Sequence, residues 1–69
     1  MTRIRGQSDR EIFIEIVTVG TFAKVSAIDS KTGTEVSITG PANADRSMLE
    51  AAAVAKLEFV LKKQAGEAQ

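Results

Sequence analysis

Between Glu11 and Val19 the chain is crowded with β-branched and aromatic residues, Ile12, Phe13, Ile14, Ile16, Val17, Thr18 and Val19. That density of strand formers predicts a β-strand. Gly20-Thr21 follows as a two-residue hairpin loop, with glycine at the first central position that a type II′ turn demands. The hairpin pairs Val19 with Phe22, Val17 with Lys24, Glu15 with Ser26 and Phe13 with Ile28 on one face. On the other face it pairs Ile16 with Val25 and Ile14 with Ala27. A second turn, Ser30-Lys31-Thr32-Gly33, sets Ala27 against Val36 and Val25 against Ile38. One sheet face then reads Ile12, Ile14, Ile16, Ala23, Val25, Ala27, Val36 and Ile38, all apolar. A slip of one residue at either turn would destroy that agreement, because it moves every side chain to the opposite face.

Gly40-Pro41 closes the third strand, since proline has no N–H for the ladder and restricts the residue before it. A helix rich in Ala, Leu, Glu and Lys follows to about Lys63. Ser47 with Glu50 matches a capping box. At about 100° per residue Leu49, Ala53, Leu57, Val60 and Leu61 form one stripe, expected to cover the apolar sheet face. Met48, Ala52, Ala55 and Phe59 form a second. The expected fold is α+β, a three-stranded antiparallel β-meander followed by one C-terminal α-helix packed on one sheet face. Residues 1–10 are read as a flexible N-terminal arm, 11–63 as the single β-β-β-α domain and 64–69 as a frayed C-terminal tail.

Composition narrows the chemistry. The 69 residues include no Cys and no His, so disulfides, thiolate or imidazole metal ligands, a catalytic thiol and a histidine base are excluded together. Acidic residues such as Asp9, Glu11, Glu15, Asp29, Glu35 and Asp45 are dispersed over separate elements, so no metal and no cofactor is expected. Nine basic side chains balance nine acidic ones, whereas nucleic-acid binders carry a basic excess. No apolar run approaches the roughly 20 residues that span a bilayer. Residues 1–10 also lack the apolar centre of a signal peptide, so the chain reads as cytoplasmic with no membrane role.

Lys24, the one strand lysine open to Schiff-base chemistry, is better explained by a cross-strand salt bridge to Glu15 or Glu35. Asn43, Arg46 and Ser47 precede or open the helix, where free N–H groups and the dipole favour an anion, although Asn, Asp and Ser are also the ordinary caps. Arg3 and Arg5 resemble the basic arms that enter a nucleic-acid groove, with a solvated tail as the plainer reading.

The second sheet face mixes Phe13, Val17, Val19, Phe22 and Ile28 with polar residues, and one short helix cannot cover both faces. A domain of this size buries only about 60% of the surface of its unfolded chain, and self-association is a remaining way to compensate. The expectation is a non-enzymatic interaction module. It would form a homodimer, or bind another protein, through Phe13, Val17, Phe22, Ile28, Met48 and Phe59. The alternative is a nucleic-acid-binding β-β-β-α domain.

The run Val19-Gly20-Thr21-Phe22-Ala23-Lys24-Val25-Ser26-Ala27-Ile28-Asp29, with Thr32-Gly33-Thr34-Glu35-Val36 and Gly40-Pro41-Ala42, resembles a family of short uncharacterised alphaproteobacterial proteins. The resemblance covers Glu11 to Lys63 and brings no catalytic residues with it. Some members of that family carry a genome label of serine hydroxymethyltransferase. That label cannot apply here, because a domain of this size has no room for a pyridoxal-phosphate cavity and a substrate domain.

Overall fold

The computed structural model describes residues 2–7 and 10–67. Three antiparallel strands, a C-terminal helix and the expected register are all present. The strands are β2 (Arg10–Val19), β3 (Phe22–Asp29) and β4 (Glu35–Pro41), and the helix is α1 (Arg46–Glu67). Val19 pairs with Phe22, Phe13 with Ile28, Val25 with Ile38 and Ala27 with Val36, as the two turns require. Gly20 and Gly33 hold φ of 59° and 77°, in the left-handed region that glycine enters without a Cβ penalty.

Two boundaries differ from the sequence reading. The segment read as a flexible arm contains strand β1, Thr2–Gln7, antiparallel to β2 with Thr2 opposite Glu15 and Gln7 opposite Arg10. The sheet is therefore four-stranded, in the order β1-β2-β3-β4. The sequence carries no strand signal here because Thr2-Arg3-Ile4-Arg5-Gly6-Gln7 holds a single large apolar residue. Pairing along β2 supplies the hydrogen bonds that its composition does not advertise. The tail from residue 64 is likewise helical as far as Glu67, which places Lys62 and Lys63 before the last turn. Met1, Ser8, Asp9, Ala68 and Gln69, assigned to the arm and tail, lie outside the described residues.

The core is the apolar sheet face read from the turns, with α1 laid over β3 and β4. Ile12, Ile14, Ile16, Val25, Ala27 and Val36 are buried against Ala53, Val54 and Leu57, with Ile38, Leu49, Val60 and Leu61 packed around them. Val54 joins the expected stripe because the buried face of α1 is broader than a single line. Glu50 is buried beside it.

Three contacts set how α1 lies. Lys56 Nζ donates to the Ser37 carbonyl of edge strand β4 at 2.9 Å, and the Thr34 hydroxyl donates to Gln64 Oε1 at 3.2 Å. At Gly40 a Cβ would stand 2.7 Å from Leu49 Cδ2, so glycine allows the helix start to approach β4 this closely. The Ser30–Gly33 turn is organised from inside by Asp29, which is fully buried. Its Oδ2 accepts the Thr32 N–H at 3.0 Å and the Thr32 hydroxyl at 2.8 Å.

Leu57 is fully buried at the centre of the helix–sheet contact. Leu57→Asp places a charge there against apolar neighbours and should abolish cooperative folding. Circular dichroism melts check this, and an unchanged melting temperature would mean that α1 is rotated from the orientation described.

Candidate functional site

The six residues singled out for an interaction surface fall into three separate places. Phe13 and Ile28 face each other across β2 and β3 and are each half-buried. Next along the open sheet face come Glu15 opposite Ser26 and Ser26 opposite Ser37, whose hydroxyl oxygens lie 3.0 Å apart. Beyond this polar row is a second apolar group at the hairpin end. There Val17, Val19 and Phe22 stand exposed, with Phe22 65% accessible. The third place is α1, where Met48 and Phe59 are 69% and 66% accessible.

Helical geometry fixes the relation between these places. Ala53 and Leu57 face the sheet, and at about 100° per residue Met48 and Ala55 point almost directly away from it, with Phe59 and Ala52 to one side of them on the same outer face. The two apolar surfaces therefore look out from opposite sides of the molecule. The sequence reading treated them as one interaction surface. The fold separates them by the full thickness of helix plus sheet.

Phe22 also forms a wall of an open cleft of about 620 Å³ lined by Thr21, Phe22, Thr39, Gly40, Pro41 and Asn43. Its shape comes from the register that sets Phe22 opposite Pro41 and from the Ala42 N–H, which donates to the Thr21 carbonyl at 2.8 Å. Phe22 and Asn43 were selected for different reasons and are brought together here. Thr21, Thr39 and Pro41 were not selected, although the Gly20-Thr21 turn and the Gly40-Pro41 strand end fall side by side once the strand register is set. A shallower depression of about 260 Å³ lies on the outer side of α1, between Ala55, Glu58, Phe59 and Lys62.

The helix N-terminus is capped by Asp45 and not by the Ser47–Glu50 box. Asp45 Oδ1 accepts the Ser47 N–H at 2.9 Å and the Ser47 hydroxyl at 2.7 Å, while its carbonyl accepts the N–H groups of Met48 and Leu49. The Ser47 donors that an anion would use are thus engaged by the chain's own carboxylate, whose charge also opposes an incoming anion. Arg46 and Asn43 flank this cap. The Ser47 side-chain and backbone hydrogen bonds hold the Asp45 carboxyl below its ordinary value of 3.8.

Lys24 is exposed opposite Val17 and Thr39. The cross-strand salt bridge expected for it is not formed among the described residues, and Glu35 pairs with Ile28, four residues along β4 from Thr39. Arg3 and Arg5 lie in β1, opposite Ile14 and Ile12. Among the described residues no group of three acidic side chains is placed to hold a metal ion. No helix among them is long and apolar enough to cross a membrane.

A family model described as a domain of unknown function (DUF6898) matches residues 9–64, taking in β2, β3, β4 and most of α1 while leaving β1 outside. No curated protein and no solved structure matches the chain.

The Asp45 cap gives a pH signature. A carboxyl whose pKa is lowered on folding stabilises the fold above its unfolded pKa, and that contribution is lost as pH falls through the folded value. Asp45→Ala should therefore melt below the native chain at neutral pH. The gap should close as the pH is taken below 3.8, where the native carboxylate takes up its proton. A gap independent of pH would show that the ionised Asp45 side chain is not the cap.

Proposed function

The chain belongs to this family of unknown function, DUF6898, and on that premise we propose that it is a non-enzymatic interaction module that associates with a second copy of itself. The observation that carries the reading is the exposure of Val19, Phe22, Met48 and Phe59, all at about two-thirds accessibility in a domain with a small core. Isolated exposed apolar residues are ordinary on protein surfaces. Here Val19 and Phe22 face each other at the hairpin end of the sheet, and Met48 and Phe59 are joined along the outer side of the helix by exposed Ala52 and Ala55; continuous apolar surface marks contact sites.

A two-fold dimer uses the same patch on both copies. Because the two surfaces point in opposite directions, one such interface takes one of them and leaves the other for a protein partner. The absence of His and Cys from the sequence supports a role without catalysis. The open sheet face supports a protein contact over a nucleic-acid contact. Its described basic residue is Lys24, and Glu11, Glu15 and Glu35 share that face, whereas phosphate binding draws on several cations.

Light scattering over a dilution series, with and without a short DNA duplex at low salt, tests this. The expected result is a mass near twice that of the chain, indifferent to DNA. A mass of one chain at every concentration would overturn self-association, and a shift on adding DNA would replace it with the nucleic-acid reading. Phe59→Asp should keep the native melting behaviour at low concentration and weaken association. A variant that unfolds like Leu57→Asp would show that Phe59 belongs to the core.

A further inference from the structure

The outer face of α1 carries a pattern finer than exposure alone. Met48, Ala52, Ala55 and Phe59 follow one another at intervals of four, three and four residues, the spacing of a coiled-coil seam. The pattern is also symmetric about its own centre, between Ala53 and Val54. Met48 and Phe59 are equidistant from that point, as are Ala52 and Ala55, and so are Asp45 and Lys62. A second α1 laid antiparallel across a two-fold axis through that centre brings Met48 against Phe59 of the partner and Ala52 against Ala55. It also brings Asp45 against Lys62. Bulky side chains then meet at the ends, alanines allow close approach in the middle, and opposite charges meet at both extremities. Of the other charges bordering this face, Glu58 falls level with the partner's Leu49, Lys56 with the partner's Ala51 and Lys63 with the partner's Ala44, so no like charges oppose each other.

We propose that two copies pair through antiparallel contact of their α1 helices, with Met48 of each seated in the depression between Ala55, Glu58, Phe59 and Lys62 of the other. This deepens the self-association reading above and rests on it. The depression is already present in the single chain. Its four lining residues stand at i, i+3, i+4 and i+7, the diamond that receives one side chain in knobs-into-holes packing. In the symmetric pairing the centre of that diamond falls opposite Met48 of the partner, an exposed, unbranched side chain able to adapt to such a hole. The seam from Asp45 to Lys62 runs about 25 Å along the helix at 1.5 Å per residue. The terminal ion pairs are solvent-exposed, so they fix direction and register more than affinity. The Phe22 surface on the opposite side of the sheet stays free in this dimer.

Because the native chain has no cysteine, disulfide trapping reads the pairing directly. Met48→Cys and Phe59→Cys chains, mixed and oxidised, should give several-fold more covalent heterodimer than either chain gives alone. In the antiparallel arrangement two copies of residue 48 lie about 16 Å apart along the axis, eleven residues at 1.5 Å each. Lys62→Glu, which sets two acids against each other, should weaken the native dimer several-fold, while Phe22→Ser should leave it intact. Efficient trapping by Met48→Cys alone would overturn the antiparallel arrangement. A native chain of dimer mass whose association is lost in Phe22→Ser, with no trapping between positions 48 and 59, would move the interface to the sheet and leave self-association standing. A native chain of monomer mass would remove both.

Discussion

Everything else in this fold depends on the contact between Leu57 and the sheet it covers. Leu57 and Ala53 are fully buried, as are Val25 and Ala27 beneath them, so the helix and the middle strand share one interior. A β-sheet has two faces, and a chain this short supplies one helix. That helix is committed to the face carrying Ile12, Ile14, Ile16, Val25, Ala27 and Val36. Its position leaves little freedom, because Leu49 meets Gly40 at the helix start and Lys56 is tied to the Ser37 carbonyl halfway along. Lys56 also occupies part of the exposed edge of β4, where an unpaired carbonyl would otherwise invite another strand.

Once the helix is so placed, the remaining apolar surface is determined. The open sheet face partly covers itself. Phe13 and Ile28 shield each other, and Ser26 and Ser37 lie together in a polar row. Among the described residues, what remains is the hairpin end with Val17, Val19 and Phe22, and the back of α1 with Met48 and Phe59. These surfaces point in opposite directions, which is why a two-fold dimer has to choose between them. The internal symmetry of the helix seam and the hole between Ala55, Glu58, Phe59 and Lys62 favour the helix for that role. In the proposed dimer the cleft beside Phe22 stays open.

Much of this was legible in the sequence because two glycine-bearing turns each fix a register and both registers nominate the same apolar face. Alternation with a period of two is unforgiving, so agreement between turns is strong information. Strand β1 was not legible for the opposite reason, since Ile4 is its sole large apolar residue and its place comes from pairing with β2. The cap is ambiguous in the sequence because Asp45 and Ser47 are both good capping residues two positions apart. Only the hydrogen bonds of the folded chain show that Ser47 donates to Asp45. The placing of the two apolar surfaces on opposite sides follows from the same pattern, since the helix covers one sheet face with one stripe and leaves its other stripe and the second sheet face outward.

In the proposed dimer a single helix satisfies a single sheet face and turns its back outward to meet a second copy. Amide and methyl NMR spectra recorded over a dilution series test it most directly, because they report every position at once. The expected result is concentration-dependent shifts at Met48, Ala52, Ala55, Phe59 and Lys62, with Val17, Val19 and Phe22 unmoved. Shifts confined to the sheet residues, or unchanged spectra with the tumbling rate of a single chain at every concentration, would contradict it.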